Sequence, residues 1–196
     1  MNIKKYIAEG LGAGVLTLMV ALSLRGIFII PTPVIAALTL GLFVYTIGHL
    51  SGAHINPAVT IGAWSIKQID SKDAVLYIIS QCIGAGIAIL AANMINPVTV
   101  QSVPLSNAVF LAELVGTFLF TFGIASVMYA KNSAGLSGFV IGGSLLLGII
   151  CASLFGSFGI LNPAVALGVG AFNVPYIFGP IVGSILGMNA YKYLCA

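Results

Sequence analysis

Two short stretches place a side-chain amide and a helix start where the composition least favours them. His54-Ile55-Asn56-Pro57-Ala58-Val59-Thr60 and Leu161-Asn162-Pro163-Ala164-Val165 share the triplet Asn-Pro-Ala, 106 residues apart, between long apolar runs. An Asn followed by Pro begins a helix. The Asn oxygen accepts from free N–H groups of the first turn, and Pro at the first helical position gives up an N–H that had no partner. The amide N–H groups of Asn56 and Asn162 then remain to donate to a passing oxygen. A single copy would read as a cap in a buried loop. Two copies in equivalent places point to a pore.

A second pair could also do chemistry. Glu9 and Glu113 stand 104 residues apart, in Ala8-Glu9-Gly10-Leu11-Gly12 and Ala112-Glu113-Leu114-Val115-Gly116, inside apolar runs. A carboxyl at membrane depth is costly and needs partners. The expected role is structural, accepting from backbone N–H groups of a nearby irregular loop. A proton relay would need a chain of further titratable groups, and the spans contain none. Gln81 is expected to anchor the same loop. His54 is expected to orient the loop or to stand at the inner mouth. His49 and His54 do not have convincing metal-ligand spacing, so no metal is expected. Ser51, Thr60 and Ser157 receive no role. The other acids, Asp70 and Asp73, lie among lysines, and no nucleophile–base–orienter set is visible. Enzyme activity and cofactors are therefore not expected. Cys82, Cys151 and Cys195 lack metal-ligand spacing and read as reduced thiols. Gly84-Ala85-Gly86 and Gly142-Gly143 read as close helix packing in lipid.

The elements that must position these residues follow from composition. Of 196 residues, 60% are hydrophobic and 6% charged, against roughly a quarter charged in a soluble domain. Lipid is the expected solvent. The net charge of +3 comes from few residues and gives no reason to expect nucleic acid. Six apolar segments run roughly 6–24, 34–50, 74–94, 108–130, 136–154 and 175–194. Each can cross a hydrocarbon core of about 30 Å. The first is expected to remain as a span, since Arg25-Gly26 follows it without a cleavage site and Glu9 lies within it. With the N-terminus in the cytoplasm, Lys4, Lys5, Lys67, Lys72, Lys131 and Lys192 all fall inside and only Arg25 outside, as the positive-inside rule requires. The expected place is a cell membrane.

Asn56 to Ile66 and Asn162 to Phe172 are too short to span and suit half a membrane each. Three spans per repeat invert the second copy. Two re-entrant half-helices entering from opposite sides would then meet near the midplane, at the interface of the halves. The expected architecture is all-α: six transmembrane helices and two half-helices in one channel domain, residues 1–196, with halves of about 1–100 and 101–196.

These motifs resemble the major intrinsic protein family, the aquaporins and aquaglyceroporins. The most specific match is Gly48-His49-Leu50-Ser51-Gly52-Ala53-His54-Ile55-Asn56-Pro57-Ala58-Val59-Thr60. The two Ala-Glu-x-x-Gly openings, Gln81-Cys82-Ile83-Gly84-Ala85 and Gly179-Pro180-Ile181-Val182-Gly183 support it. The resemblance implies a right-handed bundle, a pore in each subunit and a homotetramer. It also implies an outer constriction. In the family the second motif usually continues into Arg; here the position is Val165. Spacing from the motifs puts the other constriction positions at Ala36, Ile150 (or Ile149) and Gly159. The fixed charge and strongest donors are thus replaced by small or apolar residues. Carbonyls of residues 156–161 would form the remaining polar wall, and the point is either wider or dry.

The expected function is a passive channel for water and small neutral solutes such as glycerol, urea, ammonia or hydrogen peroxide, with ions and protons excluded. A secondary transporter built on an inverted repeat is one alternative, but it would need a substrate site and a coupling-ion site. A non-conducting membrane scaffold of the same fold is another.

Overall fold

The computed structural model describes residues 3–26, 29–97, 106–129 and 135–195, which hold helices and connections and no strand. Lys131 and the expected boundary between the repeat halves lie outside the described residues. Eight helices follow in order: α1 (Ile3–Leu24), α2 (Thr32–Ser51), α3 (Pro57–Ser65), α4 (Ser71–Ile95), α5 (Asn107–Tyr129), α6 (Ser137–Leu154), α7 (Pro163–Gly168) and α8 (Val174–Cys195). Five of them, α1, α2, α4, α5 and α6, are long and apolar enough to cross a membrane. The sixth long helix, α8, has 22 residues and carries Asn189, Tyr191, Lys192 and Tyr193 in its last turns.

The outward faces are as apolar as the inner ones. On α4, Val75, Ile79, Ile83 and Ile87 recur every fourth residue and are all exposed, so they form one stripe. On α1, Ile3, Ile7 and Leu11 do the same. In water such stripes would be large apolar patches. In lipid they are the solvated surface. The chain is an integral membrane protein.

The helices pack as two equivalent sets. α1 lies on α4 as α5 lies on α8, and α1 on α2 as α5 on α6. α2 and α6 meet across the two halves. The short helices cross over: α3, from the first half, packs on α8, and α7, from the second, packs on α4 and α1. Each short helix thus lies against both halves, α3 also touching α4 and α7 also touching α8. The α1–α4 pair runs parallel. At one end Lys5 is ion-paired with Asp73, which also accepts from the Tyr6 hydroxyl at 2.6 Å. At the other end Arg25 donates to the Asn96 carbonyl at 2.9 Å and to Asn93 Oδ1 at 2.8 Å.

Both half-helices end sooner than Ile66 and Phe172. α3 stops at Ser65 because Lys67 turns left-handed (φ 66°), and the Gln68 N–H reaches back to the Ala63 carbonyl at 2.9 Å. α7 stops at Gly168 by the same device: Gly170 is at φ 75°, and the Ala171 N–H bonds the Ala166 carbonyl at 2.9 Å. This is the left-handed stop common at helix C-termini. It falls three residues earlier in the second copy, leaving helices of nine and six residues.

Close approach of α1 and α4 depends on Gly84. A Cβ there would fall on the Gly10 carbonyl oxygen and against Gly14, whereas a Cβ at Gly86 would meet nothing within 4 Å. Gly84→Ala should therefore lower stability in detergent by about 1–3 kcal/mol, while Gly86→Ala is neutral or stabilising. Thermal unfolding of the two purified variants checks this. Equal midpoints would mean that α1 and α4 are not this close.

Candidate functional site

The connection into α3 has no regular hydrogen bonding, although it lies among apolar helices. Its backbone alternates in hand. Ala53 is at φ 49° and Ile55 at φ 42°, and in the second copy Gly159 is at φ 64° and Leu161 at φ 54°. Non-glycine residues at such angles are costly and persist only where their surroundings enforce them. Here the enforcement is visible. Glu9 Oε1 accepts from Ser51 Oγ at 2.7 Å and the His54 N–H at 2.9 Å; its Oε2 accepts from the Ile55 N–H at 2.6 Å and Gln81 Nε2 at 2.7 Å. All four partners act as donors, so both carboxyl oxygens are saturated as acceptors. Glu113 repeats the pattern, accepting from Ser157 Oγ, the Ile160 N–H at 3.0 Å and the Leu161 N–H at 2.7 Å.

The glycines of the Ala-Glu-x-x-Gly openings have a physical purpose. Three residues after each Glu, on the same helix face, Gly12 and Gly116 leave space for the side chains of Ile55 and Leu161. Those two side chains are fully buried. One face of α1 thus holds the loop by its N–H groups and seats the side chain of its left-handed residue, and α5 does the same for the other loop.

The carbonyls follow from the N–H groups. In a trans peptide the N–H and C=O point in opposite directions. With the N–H groups of His54, Ile55, Ile160 and Leu161 turned to the carboxylates, the carbonyls of Ala53, His54, Gly159 and Ile160 point away from them. Those four residues line two cavities formed by the described residues.

Asn56 and Asn162 sit where the loops meet. Asn56 Oδ1 accepts from the Ala58 N–H at 2.8 Å; Asn162 Oδ1 accepts from Ala164 at 3.0 Å and Val165 at 3.3 Å. Pro57 and Pro163 open the helices, and Ala58 and Ala164 are fully buried. The amides are partly engaged. Asn56 Nδ2 donates to the Leu161 carbonyl at 2.9 Å and Asn162 Nδ2 to the Ile55 carbonyl at 3.1 Å. Each Asn therefore ties its half-helix to the opposite loop. An amide has two N–H groups, which leaves one on each side chain for the outer cavity that both residues line.

That cavity has a volume of about 580 Å³. Ala36, Gly159 and Val165 line it, but Ile150 does not. Ile150 is 45% exposed on the outer face of α6, while its neighbour Ile149, 6% exposed, lines the cavity. The loop before the second motif shifts the α6 register by one residue, and Gly159 seats directly on the Ile149 carbonyl, which a Cβ there would meet at 2.7 Å. Arg25 lies at the rim of the same cavity.

Three residues the sequence left unassigned belong to the site. Ser51 and Ser157 each donate to a carboxylate. Thr60 Oγ1 links Gln81 Nε2 (3.0 Å), His54 Nδ1 (3.2 Å) and the Asn56 carbonyl (3.1 Å). The signal for the serines was present: their spacing of 106 is that of the two Asn residues. Tyr77 and Tyr176 were missed too. The Tyr77 hydroxyl donates to the Ser51 carbonyl at 2.9 Å, and Tyr176 accepts from the Phe158 N–H at 3.2 Å. They are equivalent in the repeat, each seven residues before a glycine that packs on the first helix of its half (Gly84 on α1, Gly183 on α5), but their separation of 99 differs from the 104 and 106 of the Glu and Asn pairs.

Six long helices, two half-helices meeting end to end from opposite halves, and cavities on either side of their meeting point define a helical membrane channel with an inverted repeat. The sequence comparisons specify it further. The family model described as Major intrinsic protein matches residues 1–191. "Aquaporin AqpM" of Methanothermobacter thermautotrophicus is 34% identical over 177 residues, covering 77% of this chain and 71% of that protein. "Aquaporin NIP1-1" of Arabidopsis thaliana is 30% identical over 216 residues, covering 97% and 73%. Among solved structures, the aquaglyceroporin from Plasmodium falciparum has the same fold, with TM-score 0.70, 24% identity and 99% and 97% coverage. The chain belongs to the major intrinsic protein family. It is a passive membrane channel for water or small solutes, and not an enzyme.

Replacing Glu9 with Gln exchanges one accepting oxygen for an amide donor that faces other donors. Glu9→Gln should lower stability by about 3 kcal/mol or more, and Ser51→Ala, which removes one donor of four, by about 1–2 kcal/mol. Heat-induced loss of monodisperse protein in detergent measures both. Equal losses would show that the carboxylate is not the holding group.

Proposed function

We propose that the channel conducts water and small neutral solutes (glycerol, urea, ammonia and hydrogen peroxide are candidates) and turns back ions and protons at the Asn pair. One observation carries this reading: Asn56 and Asn162 border one cavity at the point where two helix N-termini converge. Each N-terminus carries roughly half a positive charge, an effect confined to its first turn. A cation ~5 Å from both would be opposed by about 3 kcal/mol at an effective dielectric of 20. It would also have to shed its water. A neutral solute bears neither cost and can replace lost hydration with the Asn amides and loop carbonyls.

Ala36, Ile149, Gly159 and Val165 take the place of the narrow polar ring of the family. The open cavity at their level favours the wider of the two readings, and a solute larger than water then fits. The resemblance also supports a homotetramer in a cell membrane with both termini on the cytoplasmic side, each subunit carrying its own pore.

Stopped-flow light scattering on proteoliposomes tests the reading, with water and glycerol gradients compared. Val165→Arg should reduce glycerol flux several-fold while the protein stays folded; unchanged glycerol flux would remove Val165 from the solute path. Asn56→Asp with Asn162→Asp should admit cations, read as current across a planar bilayer. A cation-tight double variant would contradict exclusion at the Asn pair.

A further inference from the structure

We infer that the size-selecting point of this channel lies at Leu40 and His54, on the inner side of the Asn pair, and not at the outer ring that contains Val165. This rests on the channel reading above. The outer cavity continues past Ala36, Ile149, Gly159 and Val165 as far as Asn56 and Asn162. A second cavity of about 410 Å³ occupies the other side. Among the described residues, only Leu40 and His54 line both. The helices around the passage change cavity at the same level. Phe120 and Leu145 line the outer cavity, and Ile124 and Ile141, one turn further along the pore, line the inner. The interruption is therefore a single level of the bundle.

Both residues are suited to set a width. On α2, Ala36, Leu40, Val44 and Gly48 follow one another down the passage at four-residue steps. Leu40 is the largest of the four, and it is 2% exposed. The ring of His54 is held on two sides. Its Nδ1 lies 3.2 Å from Thr60 Oγ1, and the ring stands edge-on to Tyr77 at 5.4 Å between centroids. Thr60 is in turn bonded by Gln81, so the imidazole is positioned by the same network that holds the loop. Among the described residues Nε2 has no hydrogen-bond partner, and it is the polar group left to a solute. The junction thus combines a fixed donor or acceptor with an apolar side chain whose size sets the gap.

Resistances in series give the test, because widening matters only where the passage is narrowest. Proteoliposomes carrying the unmodified protein, Leu40→Ala, Leu40→Val and Val165→Ala are compared for water, urea, glycerol and erythritol flux, after size-exclusion chromatography confirms folding. Leu40→Ala should raise erythritol and glycerol flux several-fold relative to water. Leu40→Val should give a smaller shift in the same direction, and serves if Leu40→Ala does not fold. Val165→Ala should leave the size ranking unchanged. A ranking that moves with Val165→Ala and not with the Leu40 variants would overturn the inference and restore the outer ring. Unmodified protein no faster than empty vesicles would instead refute the channel reading itself.

Discussion

At membrane depth a peptide N–H without a partner costs several kcal/mol, and no bulk water is present to supply one. The rest of this structure depends on how that constraint is met. Two irregular loops enter the bundle, and each presents N–H groups to one buried carboxylate, Glu9 on α1 or Glu113 on α5. A carboxylate is ordinarily the worst group to bury. Here its oxygens are matched by donors that would otherwise be orphans, so two costly features offset each other. The left-handed residues Ile55 and Leu161 are the local consequence. They turn the peptides so that N–H groups face the carboxylate and carbonyls point away from it.

The same arrangement joins the halves. The two Asn side chains reach across to the opposite loop, and each short helix packs against the other half's long helices. A change in one loop is therefore felt by both. On the proposed reading the Asn amides combine two roles: one N–H fixes the meeting of the half-helices and the other is left for the cavity that both residues line. Rigidity and a polar stripe come from the same atoms. The stripe is narrow, since the remaining cavity wall is mostly Leu, Val, Ala and Phe.

Much of this was legible in the chain. The paired Asn-Pro-Ala triplets, the paired Glu residues and the six apolar runs carry the repeat, the spans and the inversion, because each is a local pattern. What was not legible depends on register. Ile150 and Ile149 differ by one residue, or about 100° on a helix, and only the seat of Gly159 on the Ile149 carbonyl decides which one faces inward. The ends of α3 and α7 depend on where the chain turns left-handed. Gly170 hints at this and Lys67 does not. Tyr77 and Tyr176 reach the two loops from equivalent positions of α4 and α8, but they stand 99 residues apart and not 104 or 106, so the spacing of the motifs does not pick them out. Ser51 and Ser157 carried a sign, the shared spacing, which their ordinary residue type concealed.

The departure at Val165 shifts weight from the outer ring to the centre. On the proposed function, with no fixed charge among the outer-ring residues, discrimination against ions would rest on the half-helix ends and Asn amides. The most direct measurement is a paired one on the same vesicles: osmotic swelling by light scattering, and proton influx by a trapped pH-sensitive dye. The account predicts swelling faster than in empty vesicles and proportional to the gradient without saturation, with proton influx no greater than through lipid alone. Swelling that saturates with solute concentration, or proton influx that rises with protein content, would contradict it.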